Sequence, residues 1–184
     1  MPPVLDKHLE ERILKAARRL WRKRGESGLT LRAVAHEAKT TTPTLYKRFR
    51  NKQALRLALA YRFREELNAE LFSSKNLEEV HRRYLLYAEE NPHEYELLGL
   101  SWGQFFSPGS PRPGRAWVLM QLAARFGGKS EQYAAAFDAL FLMCHGTATL
   151  LTVTGDKAMR EEIRENCTSV CDKLLANVAI LREE

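Results

Sequence analysis

Thr42, Thr44, Tyr46, Lys47 and Arg48 stand within seven residues of one another, and Lys52 follows shortly after. Hydroxyls and cations grouped in this way are donors for the acceptors of a nucleic acid. Lys and Arg pair with guanine edges, Thr serves several base edges, and all of them reach phosphate oxygens. Thr42, Thr44, Lys47 and Arg48 are candidates for base edges or nearby phosphates. Tyr46 and Lys52 are candidates for phosphate clamps, and a helix start at Asn51–Lys52 adds a favourable dipole. The competing reading of each is a solvated side chain.

The elements that position these groups are two short helices and the start of a third. The first runs from Leu31 to about Ala38 with Thr30 as N-cap. Leu31, Val34, Ala35 and Ala38 form its buried face. Lys39 and Thr40 make the turn. Thr41 or Thr42 caps the second helix, and Pro43 fits its first turn, where a missing N–H costs nothing. Leu45 and Phe49 point inward, and Asn51 caps the next helix.

The segment Ala38-Lys39-Thr40-Thr41-Thr42-Pro43-Thr44-Leu45-Tyr46-Lys47-Arg48-Phe49, followed by Lys52 and Leu55, resembles the helix-turn-helix of the TetR family of bacterial transcriptional regulators. The likeness covers about the first third of the chain. It implies DNA contacts from Thr41 and the residues above, and backbone contacts from Thr30 and Arg32. Two positions depart from the family pattern. Lys39 stands where the family has a turn glycine, which costs about 1 kcal/mol if φ is positive. Arg48 replaces the family histidine and strengthens phosphate or guanine contact.

Charge follows the same division. Residues 1–64 hold 17 Lys and Arg against 5 Asp and Glu, whereas the rest of the chain holds 12 against 18. One part is polarised toward a polyanion and the other is not. A chain of 184 residues that is 45% apolar can build one domain or two small ones. No apolar run is expected to span a bilayer and no apolar signal segment opens the chain, so the expected compartment is the cytoplasm.

The chain reads as all-α, about nine helices, with a DNA-binding domain over 1–51 and a helical effector-binding and dimerisation domain over 52–184. A first helix spans about His8–Arg24. The fourth, from Lys52 to about Phe72, repeats Leu55, Leu59, Phe63, Leu67 and Leu71 every four residues. Asn76 caps a fifth helix, and Asn91-Pro92 separates it from a sixth. The Pro/Gly-rich stretch 107–114 is a loop. A seventh helix runs from Arg115 to Phe126. Ser130 caps an eighth that reaches Val153, and a last one runs from Asp156 to about Leu181.

Tyr84, Tyr87, Trp102, Phe105, Phe106, Trp117, Met120 and Phe141 are candidates to line an apolar effector cavity, with His145 as a polar anchor. Each is otherwise core. Small residues on the eighth helix, Ala134, Ala135, Ala136 and Ala139, with Cys167 and Cys171 on the ninth, are candidates for a homodimer interface. The TetR resemblance implies the same pair of helices. Only His145-Gly146 matches a Trp-His-Gly signature found in one subgroup. Cys144, Cys167 and Cys171 have neither a disulfide nor a metal-finger spacing and read as buried small hydrophobes, with redox sensing as the alternative. No cofactor is expected.

The reading is a dimeric repressor that binds double-stranded operator DNA and is released by a small hydrophobic effector. A ligand-independent architectural DNA-binding protein is the nearer alternative. An all-helical enzyme is the more distant one: Cys144 and His145 are sequence neighbours about 100° apart on a helix, and no catalytic motif is recognisable.

Overall fold

A computed structural model describes residues 7–182, which contain nine α-helices, two 3-10 turns and no strand. They fall into two compact units that divide between Arg64 and Glu65. Helix α4, Lys52–Phe72, contributes to both.

The first unit is α1 (Lys7–Gly28), α2 (Leu31–Glu37), α3 (Thr42–Tyr46) and the first part of α4. The apolar stripe of α1 buries Ile13, Ala16, Ala17 and Trp21 completely, and Leu45 and Leu55 are equally enclosed. Gly25 takes φ 56° and ψ −143°, which kinks α1 and carries it to Gly28, beyond the expected Arg24. Helix α2 packs against α1 and α3. An ion pair from Arg19 Nε to Glu37 Oε1 (2.8 Å) links α1 to α2.

In the second unit, α5 (Leu77–Glu90), α6 (Pro92–Phe105), α7 (Pro113–Phe126), α8 (Ala134–Val153) and α9 (Lys157–Ala176) follow the last turns of α4. Helix α8 packs on α5, α6 and α9. Leu77, Leu122, Tyr133, Ala136 and Leu175 centre one core cluster. Asn76 Oδ1 caps α5 and Asp156 Oδ1 caps α9 through bonds of 2.8 and 2.7 Å.

Three further boundaries differ from the sequence reading. Pro113 starts α7 inside the expected loop, because proline suits a first turn. Ser130–Tyr133 is a 3-10 turn, and α8 starts only at Ala134. Helix α9 stops at Ala176, and Val178–Leu181 continues as a second 3-10 turn.

The expectation that no segment is apolar enough to span a bilayer is also corrected. The 24-residue stretch Ser130–Val153 contains an 18-residue window of mean hydropathy 1.4, long and apolar enough to cross a bilayer by length and composition. Its apolar residues are divided between two faces. Ala136, Cys144, Ala148 and Leu151 are buried, while Leu142, Leu150 and Val153 are exposed.

Candidate nucleic-acid interface and its companion sites

The turn between α2 and α3 sets the geometry of the basic face. Lys39 adopts φ 52°. Its N–H donates to His36 O (3.1 Å), and Thr40 N–H donates to Ala35 O (2.9 Å). This is a Schellman closure, which requires a left-handed residue after the helix. The chain places lysine there rather than glycine.

Both short helices are capped by threonine. Thr30 Oγ1 accepts from Ala33 N (3.1 Å), and Thr41 Oγ1 accepts from Thr44 N (3.3 Å). The hydroxyls of Thr41 and Thr44 lie 2.8 Å apart. These threonines therefore fix helix starts in addition to any contact with DNA. Asn51 Oδ1 caps α4 by accepting from Ala54 N (2.8 Å).

Burial of Leu45 and Phe49 turns the opposite side of α3 outward. Thr30, Arg32, Thr41, Tyr46 and Lys47 are exposed, and Thr42, Thr44 and Arg48 are half-buried. Lys52 is different. Its ammonium lies 2.6 Å from Glu26 Oε1, and Arg56 Nε lies 3.3 Å from Glu26 Oε2. The sequence reading treats Lys52 as a free phosphate clamp, whereas its charge already has an acidic partner.

In the second unit most of the expected effector residues meet. Trp102 has Phe105, Phe106, Phe141 and His145 around it at ring-centroid distances of 5.4–5.7 Å. Phe141 stacks on His145 and meets Tyr84 edge-on. Tyr95, absent from the sequence-derived set, is central to the polar part of this cluster. Its hydroxyl lies 2.5 Å from His145 Nδ1 and 3.0 Å from the Tyr84 hydroxyl. A tyrosine in a helical stripe reads as core, so only the tertiary contact to His145 identifies it. Burial lowers the His145 pKa and raises those of Tyr84 and Tyr95, so all three are neutral near pH 7. The Trp102 Nε1 donor is buried without a hydrogen-bond partner.

Trp117 and Met120 do not join that cluster. Trp117 packs on Phe72 at 5.3 Å and against the Leu77–Leu122 core. Met120 is exposed. Tyr87 is buried on α5.

The candidate dimer residues separate in the same way. Ala135 and Ala139 are exposed and Ala134 is half-buried. Ala136, Cys167 and Cys171 are enclosed by their own chain, so they cannot present a face to a second copy. Exposed positions on α8 recur as Ala135, Asp138, Ala139, Leu142, Gly146, Thr149, Leu150 and Val153. Steps of three and four place them on one side of the helix.

Cys167 and Cys171 instead face Cys144 of α8. The Sγ of Cys171 is 3.6 Å from that of Cys144 and 4.0 Å from that of Cys167. Hydrogen bonds from Cys144 and Cys171 hold the Cys167 thiol below its ordinary range. Hydrogen bonding to Cys167, and then to Cys171, together with burial, pushes Cys144 up.

Residues 13–59 match the family model described as bacterial regulatory proteins, tetR family. Among solved structures, TetR from Acinetobacter baumannii AYE is similar at 21% identity and a TM-score of 0.71, with 98% of this chain and 100% of that one covered. Its TetR-Q116A form in complex with minocycline gives 20% and 0.70 over the same shares. A protein with unknown function from Rhodococcus sp. RHA1 gives 24% and 0.65, with 96% and 98% covered. No curated protein sequence matches the chain.

Proposed function

We propose that this chain, whose N-terminal unit belongs to the tetR family of bacterial regulatory proteins, is a homodimeric repressor released from operator DNA by a small, largely apolar effector. A DNA-binding transcriptional regulator is the function its fold supports. The observation that carries the reading is the capped α2–turn–α3 unit, with Thr41, Thr42, Thr44, Tyr46, Lys47 and Arg48 outside and Leu45 and Phe49 inside. Thr30 and Arg32 add backbone contacts at the start of α2.

Two further observations support the dimer and the effector. The exposed stripe on α8 is apolar or small apart from Asp138 and Thr149. A second copy packed there would remove it from water and supply a second recognition helix, as two half-sites one turn of DNA apart require. The aromatic cluster around Trp102 offers an apolar surface with one unpartnered donor and a neutral His–Tyr pair. That combination suits an uncharged aromatic molecule bearing an acceptor. One similar structure is a complex with minocycline, which supports a small-molecule effector.

Selection from random DNA followed by a mobility-shift assay tests the proposal. The expected result is a palindromic site, bound by the dimer and released by a compound that alters tryptophan fluorescence. Uniform binding to all sequences, with no compound causing release, would favour an architectural protein.

A further inference from the structure

The three cysteine sulfurs form a group that the DNA-binding and effector sites do not use. Their Sγ atoms all lie within 4.8 Å of one another, and all three residues are buried. Cys167 and Cys171 come from successive turns of α9, and Cys144 comes from α8. Among the described residues, no His, Asp or Glu ligand atom joins the group. An ion held about 2.3 Å from each of three sulfurs in a plane separates them by about 4 Å, and a pyramidal ion draws them somewhat closer. Cys171 Sγ, at 3.6 and 4.0 Å from the other two sulfurs, is already near that range.

We infer that Cys144, Cys167 and Cys171 form a three-sulfur binding site for a soft, three-coordinate ion, and that trivalent arsenic is the ion whose charge fits it. Soft ions prefer sulfur, and a three-ligand set without a fourth donor excludes the closed tetrahedral site that structural zinc requires. Charge then separates the soft ions. Three thiolates around a monovalent or divalent cation leave a net negative charge in a buried site, which is costly. Arsenous acid leaves none. Three S–H bonds and three As–OH bonds break, three As–S bonds form, and three waters leave. Arsenic stays trivalent, and both reactants and product are neutral. Each thiol proton leaves with one displaced hydroxide as water.

Ligation would bond α8 to α9 directly, within a single protomer.

The experiment titrates the full chain, kept reduced with a phosphine, with sodium arsenite. Mass spectrometry should show one arsenic per chain with three protons lost, and arsenic X-ray absorption should show three sulfur ligands. Cys144→Ser and Cys167→Ser should each weaken binding by at least about tenfold, with circular dichroism checking the fold of each. Because the absorption measurement uses the parent chain, it decides the matter even if a variant fails to fold. Fewer than three sulfurs on arsenic would overturn the inference. So would equal affinity in a folded Cys144→Ser variant, or displacement of arsenite by equimolar Zn(II).

Discussion

Lys52 Nζ lies 2.6 Å from Glu26 Oε1, so the lysine at the start of α4 is tied to the end of α1 before any DNA arrives. A phosphate must compete with that carboxylate. Glu26→Gln should release Lys52 and Arg56 together, tighten binding to all sequences alike, and steepen the log K against log salt plot by about 0.9 per phosphate gained. Lys52→Ala should flatten the parent plot by less than that amount. A salt titration checks both, and slopes unchanged in both variants would remove this end of α4 from the interface.

Sequence choice is expected to rest on Arg48, with Lys47 beside it. Arg48 is half-buried, which limits the conformations its guanidinium samples and favours a bidentate contact over a loose phosphate contact. Arg48→Ala should cost about 1–3 kcal/mol on the best operator and relax preference at one base pair in each half-site. Selection from random DNA with parent and variant is the measurement. The same motif from both would assign Arg48 to the backbone.

The left-handed Lys39 predicts a gain from a single substitution. A Cβ at φ 52° is strained, and glycine there removes the strain while keeping both hydrogen bonds of the turn. Lys39→Gly should stabilise the first unit by about 1 kcal/mol, and a β-branched residue should destabilise it. Thermal denaturation followed by circular dichroism reads the difference. A lower midpoint for glycine would mean that the lysine side chain has a stabilising contact outweighing the strain.

His145 and His81 predict how stability responds to acid. Burial lowers the pKa of each below the ordinary 6.5, though Asp172 partly offsets this at His81. Below 6.5 the unfolded chain therefore binds protons that the folded chain does not, and stability falls as pH falls through that value. Above it, these residues contribute no slope. His145→Gln should flatten the decline by up to one proton, measured as denaturation midpoint against pH. An identical slope in the variant would mean that His145 titrates normally in the folded protein.

How much of this was legible in the sequence depends on the range of the interaction. Thr30, Asn51 and Asn76 act on backbone groups three residues away, so type and spacing suffice to identify them, whereas spacing left the second cap open between Thr41 and Thr42. The strain at Lys39 was legible only through the family resemblance, which places a turn glycine at that position. Trp102 and Trp117, by contrast, sit in similar apolar stripes, and only the packing of α6 on α8 separates the ring beside His145 from the ring beside Phe72. The meeting of Cys144 with Cys167 and Cys171 depends on the register between α8 and α9, which no spacing within one helix encodes. Glu26 was unreadable as a partner of Lys52 for the same reason.

The register of α8 decides the dimer prediction. Of the four alanines proposed from sequence, Ala136 faces the core, whereas Ala135 and Ala139 share the outer stripe with Leu142, Gly146 and Leu150. Leu142 and Leu150 are 65% and 53% exposed, two large apolar side chains on one face of one helix. Leu142→Glu together with Leu150→Glu leaves the chain's own core untouched but would bury charges in any contact made through this face, which an apolar helix interface does not tolerate. The double variant should remain folded by circular dichroism, sediment as a monomer, and lose operator binding at micromolar protein, since one helix-turn-helix unit makes too few contacts alone. A variant that sediments as a dimer and binds as the parent does would place self-association on another surface.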